Sequence, residues 1–381
     1  MCDRESGQNS LGIRTIPVQQ AVGSVLAHDV TEIRKGEFKG PAFRKGHIVR
    51  QEDVCHLQRL GKDNLFVLSL GPDEMHEDEA AVAIARALMG EGVAIKGEPR
   101  EGKITVIAAR DGLLKIDVNA LRAFNMLGDV MCATLHTNTV VKKGQEVAGT
   151  RAIPLVVKKA VVDRAVKIAQ QGPGTKGQGP GVLDVKEIRK PRAGVVITGN
   201  EVYHGRVKDE FAPIIAKKIE EYGGEIAGTY YAPDDERFIA ERLRELLNAG
   251  ADLLITTGGM SVDPDDVTRF AIRSLGATDI TYGSAVLPGA MVLVAYLETR
   301  EEGRATSDSK HSSLAPRSSS LVPILGIPAC GMYHKTTVFD LVLPRVLAGE
   351  RIGREELAEL GHGGLCLHCS ECRYPVCPFG K

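Results

Sequence analysis

Short apolar runs alternate with amphipathic segments from residue 192 onward, and this alternation limits the possible folds more than any other feature. Runs rich in β-branched residues predict strands, and most are followed by the apolar spacing of a helix. The apolar runs lie at residues 195–197, 226–231, 251–256, 280–286, 291–297 and 323–328. Such alternation predicts an α/β fold, a three-layer domain with a mostly parallel sheet and helices on both faces.

Acidic residues and glycines follow the predicted strands. In a parallel sheet the carboxyl ends of the strands meet at one edge, and ligands bind in the crevice there. The acids at this edge are Glu201, Asp234, Asp235, Asp265 and Asp266, and the other predicted site residues are Thr198, Gly199, Gly258, Gly259, Gly326 and Pro328. Any one acid also fits a helix cap or a loop charge, but their joint placement predicts a binding site.

The turn between residues 256 and 266 holds two glycines and three carboxylates. Gly258 and Gly259 allow backbone N–H groups to approach a ligand, and a following helix start favours an anion such as phosphate. Carboxylates beside a phosphate predict a cation between them, and Mg²⁺ prefers such oxygen ligands. The alternative is that Asp265 caps the helix and the glycines only turn the chain.

Three motifs at strand ends resemble those of a known family. They are Thr-Gly-Asn-Glu-Val at 198–202, Thr-Gly-Gly-Met-Ser-Val-Asp-Pro-Asp-Asp at 257–266 and Gly-Ile-Pro-Ala at 326–329. In this order they resemble the molybdopterin-binding domain of the molybdenum cofactor biosynthesis proteins, and most of all the molybdenum insertases. The resemblance covers residues 192–350, and residues 16–30 and 43–49 resemble more weakly the insertase N-terminal half.

The resemblance implies that the site binds molybdopterin or its adenylylated form, with Mg²⁺ and with molybdate or tungstate. By position, Glu201, Asp235 and Asp266 match active-site acids, and Gly258, Gly259 and Ser261 match the phosphate loop. Asp234, Asp265 and Asp266 are the expected metal ligands. The implied reaction hydrolyses the adenylyl pyrophosphate bond and transfers metal to the dithiolene. A homodimer and cofactor-receiving enzymes are the implied partners.

One insertase motif is missing. The family's N-terminal half carries a Ser-Ala-Met-Asp-Gly-Tyr type of motif with a further catalytic Asp, and residues 40–43, Gly-Pro-Ala-Phe, stand where it is expected. Two alternatives therefore remain open beside the insertase: a non-catalytic molybdopterin carrier or sensor, and a molybdopterin adenylyltransferase.

Composition divides the rest of the chain. A β-rich α+β region is predicted over 1–170, with a hairpin over 139–149 and five acids before an Ala-rich helix that favour its dipole. Five glycines and two prolines within 172–181 predict a connector over 171–191. The binding domain follows at 192–350, with a polar insertion at 299–320, and a Cys-rich tail occupies 351–381.

The charge balance and the chain start exclude some function classes. Lys and Arg number 48 against 49 Asp and Glu, so no basic excess favours nucleic acid. No apolar run has the length of a membrane span, and the first residues lack a signal or transit pattern, so we expect a cytoplasmic protein.

Four cysteines crowd the tail. Cys366, Cys369, Cys372 and Cys377 have the spacing C-x2-C-x2-C-x4-C. Such density is typical of a metal site, and both tetrahedral zinc and a [4Fe–4S] cluster fit the spacing. The alternative is four free thiols at a frayed terminus.

Overall fold

The structure, a computed structural model, describes residues 13–34, 38–68, 70–170, 181–260, 267–300 and 319–381. The chain divides into two compact units, Met1–Lys186 and Glu187–Lys381. No helix in the described ranges is both long and apolar enough to span a membrane.

The N-terminal unit begins with short paired strands around one helix. The elements are β1 (Ile13–Pro17), β2 (Val30–Arg34), β3 (Phe38–Phe43), α1 (Asp53–Arg59) and β4 (Asn64–Leu68). β1 pairs antiparallel with β4, and β2 with β3. Leu26, Val30 and Leu57 are buried between them in a small core of their own.

The second part of this unit packs helices against further antiparallel sheets. Its elements are β5 (Glu74–His76), α2 (Glu77–Leu88), β6 (Val93–Arg100), β7 (Lys103–Ala108), β8 (Gly112–Ile116), α3 (Val118–Asn125), β9 (Val130–Thr134), β10 (Thr139–Val141), β11 (Glu146–Ala152), β12 (Val156–Lys158), α4 (Lys159–Gln170) and β13 (Leu183–Lys186). Ile84 and Leu88 of α2 and Phe124 of α3 are fully buried in its core. This confirms the predicted α+β region.

Two predictions for this unit need correction. β10 pairs with β8, whereas β11 pairs with β7 and β9, so residues 139–149 do not form a hairpin. β13 pairs with β8, so Leu183–Lys186 belong to a sheet and not to the connector predicted over 171–191. Leu183, Asp184 and Val185 are buried, as expected for a strand and not for a solvent-exposed connector.

The acids before α2 have the predicted structural role. His76 is the N-cap residue of α2 and accepts a hydrogen bond from Asp78 N, and Glu77, Asp78 and Glu79 occupy the first helical turn. Negative charge there stabilises the helix dipole. Asp78 also accepts hydrogen bonds from Lys45 Nζ and from Gly102 N, at 2.5 and 2.9 Å.

The C-terminal unit alternates strands with helices. Its elements are β14 (Arg192–Thr198), α5 (Asn200–Tyr203), α6 (Phe211–Glu220), β15 (Glu225–Ala232), α7 (Glu236–Asn248), β16 (Leu253–Thr257), α8 (Thr268–Ser274), β17 (Thr278–Tyr282), β18 (Leu293–Arg300), β19 (Ser319–Ile327), α9 (Val338–Leu347) and α10 (Arg354–Glu359). In the described ranges six strands form one sheet in the order β15-β14-β16-β19-β18-β17. The first four are parallel, and β18 is antiparallel to β19 and β17.

Successive residues of the central strands are buried on opposite faces of this sheet. Val195 and Ile197 pack against α6 and α9, whereas Val196 packs against α7 and α8. The two-residue period of a strand produces this alternation, and covering both faces requires apolar residues at every position. The predicted three-layer α/β domain is therefore confirmed.

The Cys-rich tail packs on the α/β domain and is not a separate body. Cys366 N donates to Leu287 O at 2.8 Å, and Leu287 N donates to Gly364 O at 2.8 Å. Phe379 is 3% exposed and lies in the same core as α9. Because part of the tail is buried, the predicted boundary at residue 351 does not separate two folded bodies.

Candidate functional site

A crevice forms between two neighbouring strands whose following helices pack on opposite faces of the sheet. α6, which follows β14, packs on one face of the sheet, whereas α8, which follows β16, packs on the other. β14 and β16 are parallel neighbours that end at Thr198 and Thr257. Neighbouring strands whose connections leave on opposite faces create a ligand crevice at their carboxyl ends.

The turn after β16 requires its two glycines. Gly258 and Gly259 have φ angles of +76° and +58°, a region that side-chain-bearing residues rarely adopt. A Cβ at Gly258 would overlap the Thr198 carbonyl and lie 2.8 Å from Thr198 Oγ1. A Cβ at Gly259 would overlap the Thr268 hydroxyl. The backbone of this turn therefore approaches its neighbours more closely than any other residue type allows.

Buried hydroxyls hold the turn in place. Thr198 Oγ1 donates to Thr257 O at 2.7 Å and lies 3.2 Å from Thr268 Oγ1, which in turn donates to Gly258 O at 3.2 Å. The Tyr282 hydroxyl donates to Met260 O. Thr198 and Thr268 are 4% and 0% exposed, so these bonds form away from water and fix the backbone geometry.

A cavity of about 530 Å³ adjoins the glycine turn, and we name it the edge cavity. Three segments line it, from the turn after β16, the segment before β18 and the turn after β19. The lining residues are Gly258, Gly259, Met260, Leu287, Pro288, Gly289, Ala290, Met291, Pro328, Ala329 and Cys330. Its size and mostly apolar wall are typical of a small-molecule site.

The described acids lie on the loops beside this cavity and are not among its lining residues. Glu201 is exposed in α5, and its carboxylate lies close to Gly199, where a Cβ would come within 2.7 Å of Glu201 Oε1. Asp234 Oδ2 accepts from Asn200 N at 3.1 Å, which joins the loops after β14 and β15. Asp235 is the N-cap residue of α7 and accepts from Phe238 N at 2.8 Å.

The remaining predicted site residues divide into two groups. Ser261, Asp265 and Asp266 lie outside the described residues. Pro328 lines the edge cavity, whereas Gly326 lies inside β19 and is not among the lining residues. A Cβ at Gly326 would overlap Met260 Sδ and lie 2.9 Å from Leu293 Cβ, so this glycine makes room for the Met260 side chain.

Sequence reasoning missed the segment at residues 287–291 and Cys330. The Pro288-Gly289 pair is a turn signal from which this segment could have been found. Gly289 has a φ angle of +125°, and a Cβ there would lie 2.7 Å from Val338 Cβ at the start of α9. Cys330 follows the Gly-Ile-Pro-Ala motif directly, and burial raises the pKa of its thiol.

All four tail cysteines line a second cavity of about 450 Å³, which we name the thiol cavity. His334 and His368 also line it, with ring centroids 4.8 Å apart. In the described part of the chain, no three His, Cys, Asp or Glu side chains lie close enough to hold one metal ion. The four thiols thus share a cavity without converging on one point, and a metal in the tail stays a prediction. The same finding means that the described carboxylates do not by themselves form a Mg²⁺ site.

One family model matches most of the C-terminal unit. Residues 194–348 match the sequence model of a family described as "Probable molybdopterin binding domain". Residues 15–69 match a second family, described as a domain of unknown function.

Individual relatives cover parts of the chain. A CinA-like protein of Mycobacterium avium is 43% identical over 89 residues, which are 22% of this chain and 20% of that protein. The chain thus spans about a fifth of the length of the curated relatives it matches.

Two solved structures are each similar to less than half of this chain. The tungsten cofactor synthesizing protein MoaB of Pyrococcus furiosus is 17% identical, with 43% of this chain and 99% of that chain covered and a TM-score of 0.30. The Mog protein of Mycobacterium ulcerans is 19% identical, with 41% and 92% covered and a TM-score of 0.28.

The family match spans the sheet from β14 to α9 and contains the glycine turn and the edge cavity. The three motifs found in the sequence fall within the same residues. The match to the family described as "Probable molybdopterin binding domain" therefore covers the part of the chain that carries the candidate site.

Proposed function

We propose that this chain binds molybdopterin, or its adenylylated form, in the edge cavity and acts in molybdenum or tungsten cofactor biosynthesis. The observation that carries the proposal is the glycine turn at the crevice between β14 and β16. Gly258 and Gly259 line the edge cavity, and glycines allow backbone N–H groups to approach a phosphate closely. The apolar wall that includes Met260, Leu287 and Met291 suits a flat pterin ring.

The reaction we propose is metal insertion. Water cleaves the pyrophosphate bond of adenylylated molybdopterin, AMP is released, and molybdate or tungstate supplies the metal for the dithiolene. Glu201 lies on the loop after β14 next to Gly199, at the same edge as the glycine turn. In this proposal its carboxylate orients water or a metal ion, and Mg²⁺ offsets the charge of the phosphates.

A second candidate is a carrier or sensor that binds molybdopterin without turning it over. Two of the described acids already have structural partners, since Asp235 caps α7 and Asp234 binds the Asn200 backbone. The insertase motif with its further Asp is also missing from residues 40–43. A third candidate, the adenylyltransferase, would bind ATP at the same edge.

The experiment measures AMP release and metal-loaded cofactor under anaerobic conditions. Adenylylated molybdopterin is incubated with the protein and molybdate or tungstate, with and without Mg²⁺. The test variant is Glu201→Gln, and the matched control is Glu225→Gln, an exposed acid at the opposite end of β15. The proposal predicts turnover by the wild type and by Glu225→Gln that is lost in Glu201→Gln.

The other outcomes separate the alternatives. Stoichiometric binding without AMP release would establish the carrier or sensor. Consumption of ATP with unmodified molybdopterin would establish the adenylyltransferase. Absence of binding to either form of the pterin would refute the proposal.

A further inference from the structure

The thiol cavity is formed by a short segment that is folded without regular secondary structure. Gly380 N donates to Gly363 O at 3.0 Å, which joins the two ends of the segment. A Cβ at Gly363 would lie 3.3 Å from Lys381 N and would overlap Lys381 O, so the ends are in close contact. All four tail cysteines lie between these two glycines.

The α/β domain anchors this segment at three points. Cys366 N is bonded to Leu287 O at 2.8 Å, the Tyr374 hydroxyl donates to Asp340 O at 3.2 Å, and Phe379 is buried against α9. The thiols are therefore held on a folded scaffold and not on a frayed end. The alternative of free cysteines at a disordered terminus does not fit this arrangement.

The volume that the four cysteines line favours one of the two metal centres that the spacing allows. A tetrahedral zinc site needs sulfurs about 3.8 Å apart, because each Zn–S bond is about 2.3 Å long. Cys366, Cys369, Cys372 and Cys377 instead line one open cavity of about 450 Å³. In a [4Fe–4S] cluster each thiolate binds a different iron at a corner of a cube, so the sulfurs surround a volume and not a point.

The surroundings of the cavity also suit a cluster. The Thr336 hydroxyl lies 3.3 Å from Cys372 Sγ, and hydrogen bonds to sulfur are one of the factors that set a cluster's reduction potential. Four thiolates with a [4Fe–4S]²⁺ core carry a net charge of about −2. Lys335 and Arg373 on the cavity wall supply two positive charges against it.

From these observations we propose that the thiol cavity holds a [4Fe–4S] cluster with Cys366, Cys369, Cys372 and Cys377 as ligands. The site lies outside the residues matched by the molybdopterin-binding family, and it does not depend on the function of the edge cavity. Cluster formation takes up about two Fe²⁺, two Fe³⁺ and four S²⁻ per chain, and the four thiols become thiolates and release their protons.

The experiment reconstitutes the full-length protein anaerobically with iron and sulfide, and separately with zinc. The test variants are Cys369→Ala and Cys372→Ala, because both residues are exposed and their truncation removes little packing. The control is Cys55→Ala, an exposed cysteine of the N-terminal unit. Circular dichroism checks the fold of each protein, so loss of metal is separable from loss of structure.

The proposal predicts about four irons and four sulfides per chain in the wild type and in Cys55→Ala. It also predicts a broad absorption near the blue edge of the visible spectrum and a paramagnetic signal after one-electron reduction by dithionite. Folded Cys369→Ala and Cys372→Ala should lose at least half of the iron. Thr336→Val should keep the iron but lower the reduction potential, because the reduced cluster loses a hydrogen bond to sulfur. One zinc per chain without sulfide, or equal iron in wild type and the two test variants, would overturn the proposal.

Discussion

Replacement of Gly258 by alanine tests whether the glycine turn shapes the binding site. Gly258 has a φ angle of +76°, and a Cβ there would overlap the Thr198 carbonyl, which is part of a central strand and cannot rotate away. The left-handed backbone alone costs an alanine about 1–2 kcal/mol. Overpacking of a buried position costs about 1–3 kcal/mol more. We therefore expect Gly258→Ala to reduce the free energy of unfolding of the C-terminal unit by about 2–5 kcal/mol.

Gly276→Ala is the matched control for this change. Gly276 follows α8 in the same unit and has a φ angle of +89°, but a Cβ there would meet nothing within 4 Å. Its cost should therefore be the backbone strain alone, about 1–2 kcal/mol. The difference between the two variants measures the close approach of the turn to β14.

The assay follows both stability and binding. Because the chain contains no tryptophan, hydrogen exchange of the slowest amides in β14 and β16 reports the unfolding free energy. Anaerobic equilibrium dialysis with molybdopterin reports affinity. Gly258→Ala should weaken binding at least about tenfold, which is about 1.4 kcal/mol, and Gly276→Ala should leave it unchanged. Equal stability and equal affinity in the two variants would refute the reasoning about the turn.

Four further predictions concern single contacts. Burial, with the charge of Asp78 as a second cause, raises the pKa of Glu77 from 4.5 to about 7. The folded state thus keeps a proton that the unfolded state releases, so the contribution of Glu77 to stability is fully present below pH 4.5. The free energy of unfolding that this group contributes should fall by about 3 kcal/mol as pH rises to 7. Urea titrations should show that Glu77→Gln abolishes this loss. A pH profile of Glu77→Gln identical to that of the wild type would contradict the prediction. Thr256 has a fully buried hydroxyl without a partner in the described residues. Thr256→Val should therefore leave the free energy of unfolding unchanged or raise it by up to about 1 kcal/mol. A clear loss of stability would show that the hydroxyl is hydrogen-bonded. Asp235→Ala should cost about 1 kcal/mol through loss of the α7 cap, whereas Asp235→Asn keeps the cap; loss of AMP release in a folded Asp235→Asn would assign it a chemical role. Loss of the proposed cluster in Cys369→Ala should speed hydrogen exchange at residues 287–291, because Leu287 is bonded to the cysteine segment; unchanged exchange would show that the two cavities are independent.

The layers of the C-terminal unit could be predicted from the sequence because its signals are local and periodic. Val195, Val196 and Ile197 are β-branched and apolar in succession, as expected for a short strand that is buried on both faces. Alternation of such runs with helices then fixes parallel neighbours and a common edge for the residues that follow the strands.

Pairing between distant strands could not be predicted in the same way. Residues 139–149 have the signal of a hairpin, but β10 and β11 each find partners elsewhere, since register depends on long-range packing. Leu183–Lys186 follow a Gly/Pro-rich stretch that masks a strand whose partner, β8, lies far back in the chain.

The candidate site was predicted in part for a similar reason. The glycine turn and Pro328 line the edge cavity, and the sequence singles them out because Gly-Gly and Pro have few other uses at the end of a strand. Gly326 was predicted as a site residue, and only the fold shows that this glycine makes room for the Met260 side chain. Leu287 and Met291 resemble ordinary core residues in sequence, and only the fold shows that they line the edge cavity.

The central claim is that molybdopterin binds at the carboxyl edge of the sheet in the C-terminal unit. Hydrogen exchange of the full-length protein with and without molybdopterin, under anaerobic conditions, tests this claim most directly. The account predicts slower exchange in three segments, residues 258–260, 287–291 and 329–330, and unchanged exchange in α2 of the N-terminal unit. Binding without protection of these segments, or protection confined to residues 13–170, would contradict it.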